Sequence, residues 1–199
     1  MIRSFKYVIF AVGIVLSIVF CSYATQNIEK YINDLMNQAF STIKNPSLGD
    51  EVKKIKIREA MAKNLDFDYM AHTVLGRNRL PEKQVKEFMT IYKEYMLTYC
   101  TKMVKNYNAE DIKVSLVSPY EGCRYIVKTE IIRKGSSKPL KVDFFVKRLD
   151  KEFKIFNIVT ENVSLVHTQS SEFNNIIKSQ GYSSLIKKLK LISSTDCKS

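Results

Sequence analysis

The stretch Arg124-Tyr125-Ile126-Val127-Lys128-Thr129-Glu130-Ile131-Ile132-Arg133 decides the fold class. Tyr125, Val127, Thr129 and Ile131 recur every second residue, the period of a strand with one face buried. Lys134-Gly135-Ser136-Ser137 follows as a turn, and Leu140 to Leu149 then alternates Val142, Phe144 and Val146 against Asp143, Phe145 and Lys147. Upstream, Ile112 to Val117 reads as a strand, joined to the next by a turn at Pro119-Tyr120-Glu121-Gly122. Downstream, Asp150-Lys151 makes a tight connection to a fourth strand, Phe153 to Thr160. Connections this short join antiparallel neighbours, so the centre of the chain is expected to form a four-stranded antiparallel meander.

Helical patterns flank the meander on both sides. Ile28, Tyr31, Ile32, Leu35, Met36, Ala39, Phe40 and Ile43 keep helical spacing over residues 27–44, and Asn45-Pro46 stops them. Ser47 then reads as an N-cap, with Asp50 and Glu51 in the first turn, where the helix dipole favours acids. That second helix is expected to reach about Asn64. A shorter one spans Phe67 to Leu75, capped by Asp66 and ended by Gly76. Pro81 opens the longest helix, at a position where a missing N–H costs least. Its stripe of Val85, Phe88, Met89, Tyr92, Met96, Tyr99, Met103 and Tyr107 is rich in Met and Tyr. After the strands, Asn162 or Ser164 caps a helix carrying Leu165, Val166, Phe173, Ile176 and Ile177. Gly181 breaks it, and Tyr182, Leu185, Ile186 and Leu189 mark a last helix. Helices, four strands, then helices give an α+β domain of about six helices around a curled sheet. Closing the open side of such a sheet with helices leaves room for a deep apolar pocket.

The N-terminus reads as an export signal. Arg3 and Lys6 precede an uncharged run from Tyr7 to Phe20, short for a membrane span. Ser22-Tyr23-Ala24 places small residues where a leader peptidase reads them, so cleavage is expected after Ala24 and the mature chain is expected to be exported. An uncleaved anchor, or lipidation at Cys21, are the rival readings. The expected domain is then residues 25–193, with a loose tail at 194–199.

The sequence carries a net charge of +12, which falls to +10 once Arg3 and Lys6 are removed with the leader. The lysines are dispersed and lack an aromatic-interleaved basic motif, which argues against a nucleic-acid partner. Cys100, Cys123 and Cys197 remain after cleavage, an odd number, so at least one is unpaired. A Cys100–Cys123 bridge is left open, because spacing alone does not supply the Cα separation it needs. No Cys/His cluster has metal-ligand spacing. Of the two histidines, His72 has no serine or acid placed to orient it. His167 stands three residues from Ser164, without a glycine-rich elbow, and Ser164 reads as a helix cap rather than a nucleophile. No catalytic residue is assigned.

Several segments carry a family resemblance over about Ile28 to Leu189. They are Phe67-Asp68 through Val74-Leu75-Gly76, the strand Phe153-Lys154-Ile155-Phe156-Asn157-Ile158, and Asn162-Val163-Ser164-Leu165-Val166. Phe173, Gly181, Leu185-Ile186 and Leu189 then follow in order. In order and spacing these resemble the MlaC family, also called toluene-tolerance auxiliary proteins. The chain departs from the family pattern at four places. The family usually has Trp near Phe153, Asp at Asn157, Gly at Asn162, and an Asn-Tyr-Arg run in place of Thr168-Gln169-Ser170.

The resemblance implies a nuclear-transport-factor-like cone with added helices and no enzymatic activity. The implied role is a periplasmic carrier of phospholipid, with the lipid as cargo and no other cofactor. The implied partners are an inner-membrane ABC transporter with its substrate-binding component and an outer-membrane lipoprotein–porin complex. Candidate tail-binding residues are Val74, Phe88, Tyr92, Met96, Tyr99, Val127, Val142, Phe144, Val146, Phe156, Ile158, Val163, Leu165 and Phe173. Arg77, Arg79 and Lys147 are candidates for a headgroup or partner contact. The alternatives are an exported interaction module with a filled core, and an enzyme using a cone-shaped apolar pocket.

Overall fold

A computed structural model describes residues 26–194 apart from 77, 79, 107, 108 and 151. The expected signal peptide, Arg77, Arg79, Tyr107, Lys151 and Cys197 therefore lie outside the described residues. Helix α1 covers residues 26–44. It is followed by α2 (Asp50–Asn64), α3 (Phe67–Leu75) and α4 (Glu82–Asn106), then β1 (Ala109–Pro119), β2 (Arg124–Arg133), β3 (Leu140–Leu149), β4 (Glu152–Thr160) and β5 (Val163–Ser164). Helices α5 (Leu165–Gln180) and α6 (Tyr182–Ser194) close the chain, so α6 extends one residue into the segment expected to be loose.

The strands form one antiparallel sheet in the order β1-β2-β3-β4-β5. The expectation of four strands is thus corrected to five. Glu161 and Asn162 both take positive φ, 48° and 66°. Positive φ at both central positions is the signature of the tight turns that match strand twist. That turn folds the chain back so that Thr160 pairs with Val163 and Val159 with Ser164. Two residues are too short to show an alternation in sequence, which is why the segment reads as part of a helix entrance.

Local chemistry accounts for most element boundaries. Asp66 Oδ1 accepts a hydrogen bond from Tyr69 N at 3.0 Å and so caps α3, which ends at Gly76 with φ 58°. Ser164 Oγ accepts from His167 N at 3.2 Å and caps α5. The start of α2 differs from expectation. Gly49, not Ser47, occupies the N-cap and provides no side-chain cap; Ser47 N instead bonds Asn45 Oδ1 at 2.9 Å in the preceding turn. Pro81 lies just before α4, its carbonyl accepting from Gln84 N and Val85 N.

One face of the sheet carries Val127, Thr129 and Ile131 from β2, Val142, Phe144 and Val146 from β3, and Ile155 and Ile158 from β4, all buried. The pairing brings Val127 opposite Phe144 and Phe144 opposite Ile158. A bulge between β3 and β4 pairs Phe145 with Asn157 but Val146 with Ile155, leaving Phe156 as the extra residue. Among the helices, α4 packs on α2, α3 and α6, while α5 packs on α3, α6 and β4.

Candidate functional site

The buried face of the sheet and three helices enclose a narrow apolar cavity of about 40 Å³. Leu35 and Met36 of α1, Met61 of α2 with Leu65 just after it, and Cys100, Met103 and Val104 of α4 form its helical side. Ile131, Val142, Phe144, Ile155 and Ile158 form its floor. Every described lining residue is aliphatic, sulfur-bearing or aromatic. Met36, Met61 and Met103 bring unbranched, adaptable side chains to the wall. Burial pushes the Cys100 thiol up to about 12, so it stays protonated and behaves as a small apolar group. Cys100 and Cys123 are both free, the first buried and the second exposed.

The predicted tail-binding residues are spread over several places. Val142, Phe144 and Ile158 line the cavity. Val127 and Val146 belong to the same buried face of the sheet but stand outside the cavity wall. Phe88, Tyr92, Met96 and Phe173 join an aromatic core between α4 and α5. There Phe88 stacks on Tyr92 at 5.4 Å, and Phe173 meets both rings edge-on. The Tyr92 hydroxyl donates to Gln169 Oε1 at 2.7 Å, and Gln169 Nε2 donates to Met96 Sδ at 3.3 Å. Tyr99 adjoins this core through Tyr95, and Val74 is buried in α3. Val163 is 60% exposed on β5, and Leu165 is half-buried at the start of α5.

Phe156, displaced by the bulge, faces Tyr69 at 5.0 Å and Phe145 at 5.9 Å, both edge-on. Arg124 lies over the Tyr69 and Phe156 rings at 5.2 and 5.4 Å. Lys147, a headgroup candidate, ion-pairs with Asp66 and sits 5.2 Å from the Tyr69 ring centre. It therefore ties β3 to the entrance of α3. An open groove of about 290 Å³ runs beside this cluster, past Thr73, Ser164 and His167.

The sequence reading missed the whole helical side of the cavity: Leu35, Met36, Met61, Leu65, Cys100, Met103 and Val104. Met36, Met61 and Met103, on α1, α2 and α4, were the available signal. Their convergence depends on how the helices are docked, which periodicity within one helix does not encode.

Outside the cavity, α1, α2 and the start of β4 bound a larger open groove of about 750 Å³. Tyr31, Lys56, Lys63, Phe153 and Lys154 are among its walls, and Leu35 borders both this groove and the cavity. Tyr31 and Phe153 meet at 5.3 Å. Burial, reinforced by Glu152, holds the Tyr31 hydroxyl well above the usual phenol range.

The hydroxyl of Ser164 is engaged with Asn157: Asn157 Nδ2 donates to it at 3.0 Å. Its contact with His167 is to the backbone N–H, so the imidazole is not its partner. Among the described residues, no group of three or more His, Cys, Asp and Glu is placed to hold a metal ion. No helix there is long and apolar enough to cross a membrane.

The family model for MlaC protein matches residues 33–191. Among solved structures, the chain is similar to a phospholipid-binding protein from Ralstonia solanacearum, solved in complex with a phospholipid at 1.53 Å. The two are 17% identical with a TM-score of 0.70, over 85% of this chain and 98% of that one. At this identity the likeness establishes the shared fold. No curated protein matches the chain.

Proposed function

Because the chain belongs to the MlaC family, we propose that it is a phospholipid-binding carrier whose acyl-chain site is the cavity between the sheet and α1, α2 and α4. The observation that carries this reading is the composition of that cavity, whose described lining residues include three methionines and no charged side chain. Each acyl CH₂ removed from water contributes ~0.8 kcal/mol, so even part of one tail favours such a wall over solvent. The cavity volume is about that of a single water molecule in the liquid, so loading requires the helices to move apart from the sheet. Methionine side chains repack readily, and the lipid replaces contacts that the empty walls make with each other.

In this reading the protein is exported by cleavage after Ala24. It then moves phospholipid through the periplasm between an outer-membrane lipoprotein–porin complex and an inner-membrane ABC transporter with its substrate-binding component. A soluble carrier removes the cost of moving tails through water, and it needs neither a catalytic residue nor an energy source of its own. The test is native mass spectrometry of the protein purified from the cell envelope, followed by lipid extraction. A bound mass that resolves into phospholipid supports the reading. A protein of bare-chain mass under conditions that preserve lipid complexes overturns it.

A further inference from the structure

We infer that phospholipid enters between α1 and α2, its tails passing beneath Leu35 and its phosphodiester headgroup remaining in the outer groove beside Tyr31, Lys56 and Lys63. This rests on the carrier reading and adds a route and a headgroup site to it.

The route follows from the walls. Leu35 is 5% exposed and borders the interior cavity on one side and the open groove on the other. Displacing α1 at this point joins the two spaces. The remaining walls carry hydrogen bonds between elements. The sheet is closed by its ladders. Helix α2 is tied to α4 by Arg58, which reaches Glu94 Oε2 at 2.6 Å and Thr98 Oγ1 at 3.3 Å. It is also tied to β4 by Lys154 Nζ, which donates to Lys63 O at 2.5 Å. Among the described residues, the polar ties of α1 run within the helix, apart from Lys44 at its far end, which donates to Glu110 O at 2.7 Å. Swinging α1 about that end parts apolar contacts, which a lipid tail can replace.

The headgroup site follows from unused donors. The Tyr31 hydroxyl is buried and has no hydrogen-bond partner among the described residues, and Tyr31 lines the groove. Lys56 and Lys63 are exposed on the same groove, and no ion pair engages either among the described residues. Of the acids on the groove, Asp34 pairs with Lys30 and Glu152 with Lys154, which leaves Glu59. A phosphodiester offers only acceptors, and a tyrosine hydroxyl and two ammonium groups are the donors that suit it.

The experiment uses the mature chain and vesicles containing one of two photoreactive phosphatidylethanolamines, with a diazirine at the headgroup or at the acyl end. Cross-linked residues are mapped by mass spectrometry. The expected result is acyl-end labelling at Met36, Met61 or Met103 and headgroup labelling at Tyr31, Lys56 or Lys63. Acyl-end labelling of the cavity with headgroup labelling elsewhere, as near Tyr69 and His167, overturns the route and leaves the carrier reading standing. No labelling by either probe, with no co-purifying phospholipid, overturns the carrier reading itself. Tyr31→Phe supplies a second readout. Lipid retention should fall about two- to ten-fold, the scale of one net hydrogen bond. The unfolding midpoint of the lipid-free protein should hold or rise, because an unpartnered buried hydroxyl is removed. Unchanged retention in Tyr31→Phe overturns the headgroup assignment.

Discussion

The Tyr92 hydroxyl and Gln169 Oε1 are 2.7 Å apart in the interior, joining the middle of α4 to α5. Both residues are buried, Tyr92 completely. Desolvation, with smaller contributions from Cys100 and Tyr95, raises the Tyr92 pKa well above its ordinary value, so it remains a neutral donor. The pair forms a polar link inside an aromatic core.

Removing either partner should leave the other buried and unsatisfied. Tyr92→Phe and Gln169→Leu are each expected to cost about 1–3 kcal/mol. The double variant should cost clearly less than the sum, because no orphaned polar atom of the pair remains. A double-mutant cycle by urea unfolding measures the coupling; strict additivity would mean that the bond contributes nothing.

Ser164 serves as a cap, and its oxygen also accepts from Asn157. Ser164→Ala should lower stability by ~1 kcal/mol and leave phospholipid binding within a few-fold of the parent. Equilibrium unfolding and lipid content per protein are the two measurements. A hydrolytic activity present in the parent and lost in this variant would revive Ser164 as a nucleophile and contradict the carrier reading.

Bulk should act differently on the cavity wall and on solid core. Met103 lines the cavity and is only half-buried, whereas Val146 is fully buried outside the wall. Met103→Trp should keep most of the thermal stability and reduce bound phospholipid several-fold. Val146→Trp should lose about 1–3 kcal/mol or more from overpacking. The opposite ranking, with Met103→Trp unfolding the protein while lipid per folded molecule is unchanged, would remove Met103 from the site.

The Cys100 thiol, pushed up to about 12 by burial, makes stability sensitive to alkali. In the unfolded chain this thiol ionises near its ordinary value of about 8.5. Above that pH the unfolded state releases a proton that the folded state keeps, so stability falls as pH rises from there towards about 12. Between about pH 8.5 and 10 the fall should be smaller in Cys100→Ala, as followed by urea midpoints across that range. The same burial should make Cys100 far slower than Cys123 towards a thiol reagent in the native protein, tested in a Cys197→Ser background.

The sequence by itself determined the elements whose signals are local. Strands β2 and β3 run between the residues their alternation marks, because period-2 burial is repeated along each strand. Asp66 caps α3, Gly76 and Gly181 end helices, and the α5 cap was narrowed to Asn162 or Ser164, because each interaction lies within a few residues. Tertiary structure decided the rest. The fifth strand exists because Glu161 and Asn162 turn two residues back against β4. Phe156 leaves the buried sheet face because a bulge forms where β3 and β4 pair. The Met/Tyr stripe of α4 was visible, but the structure sends Tyr92 and Met96 into an aromatic core with Phe173, and Met103 onto the cavity. The cavity wall is a meeting of α1, α2, α4 and three strands. Hydrophobic burial is non-directional, so an apolar stripe specifies that it is covered; docking of the other elements decides which of them covers it and where the gap remains.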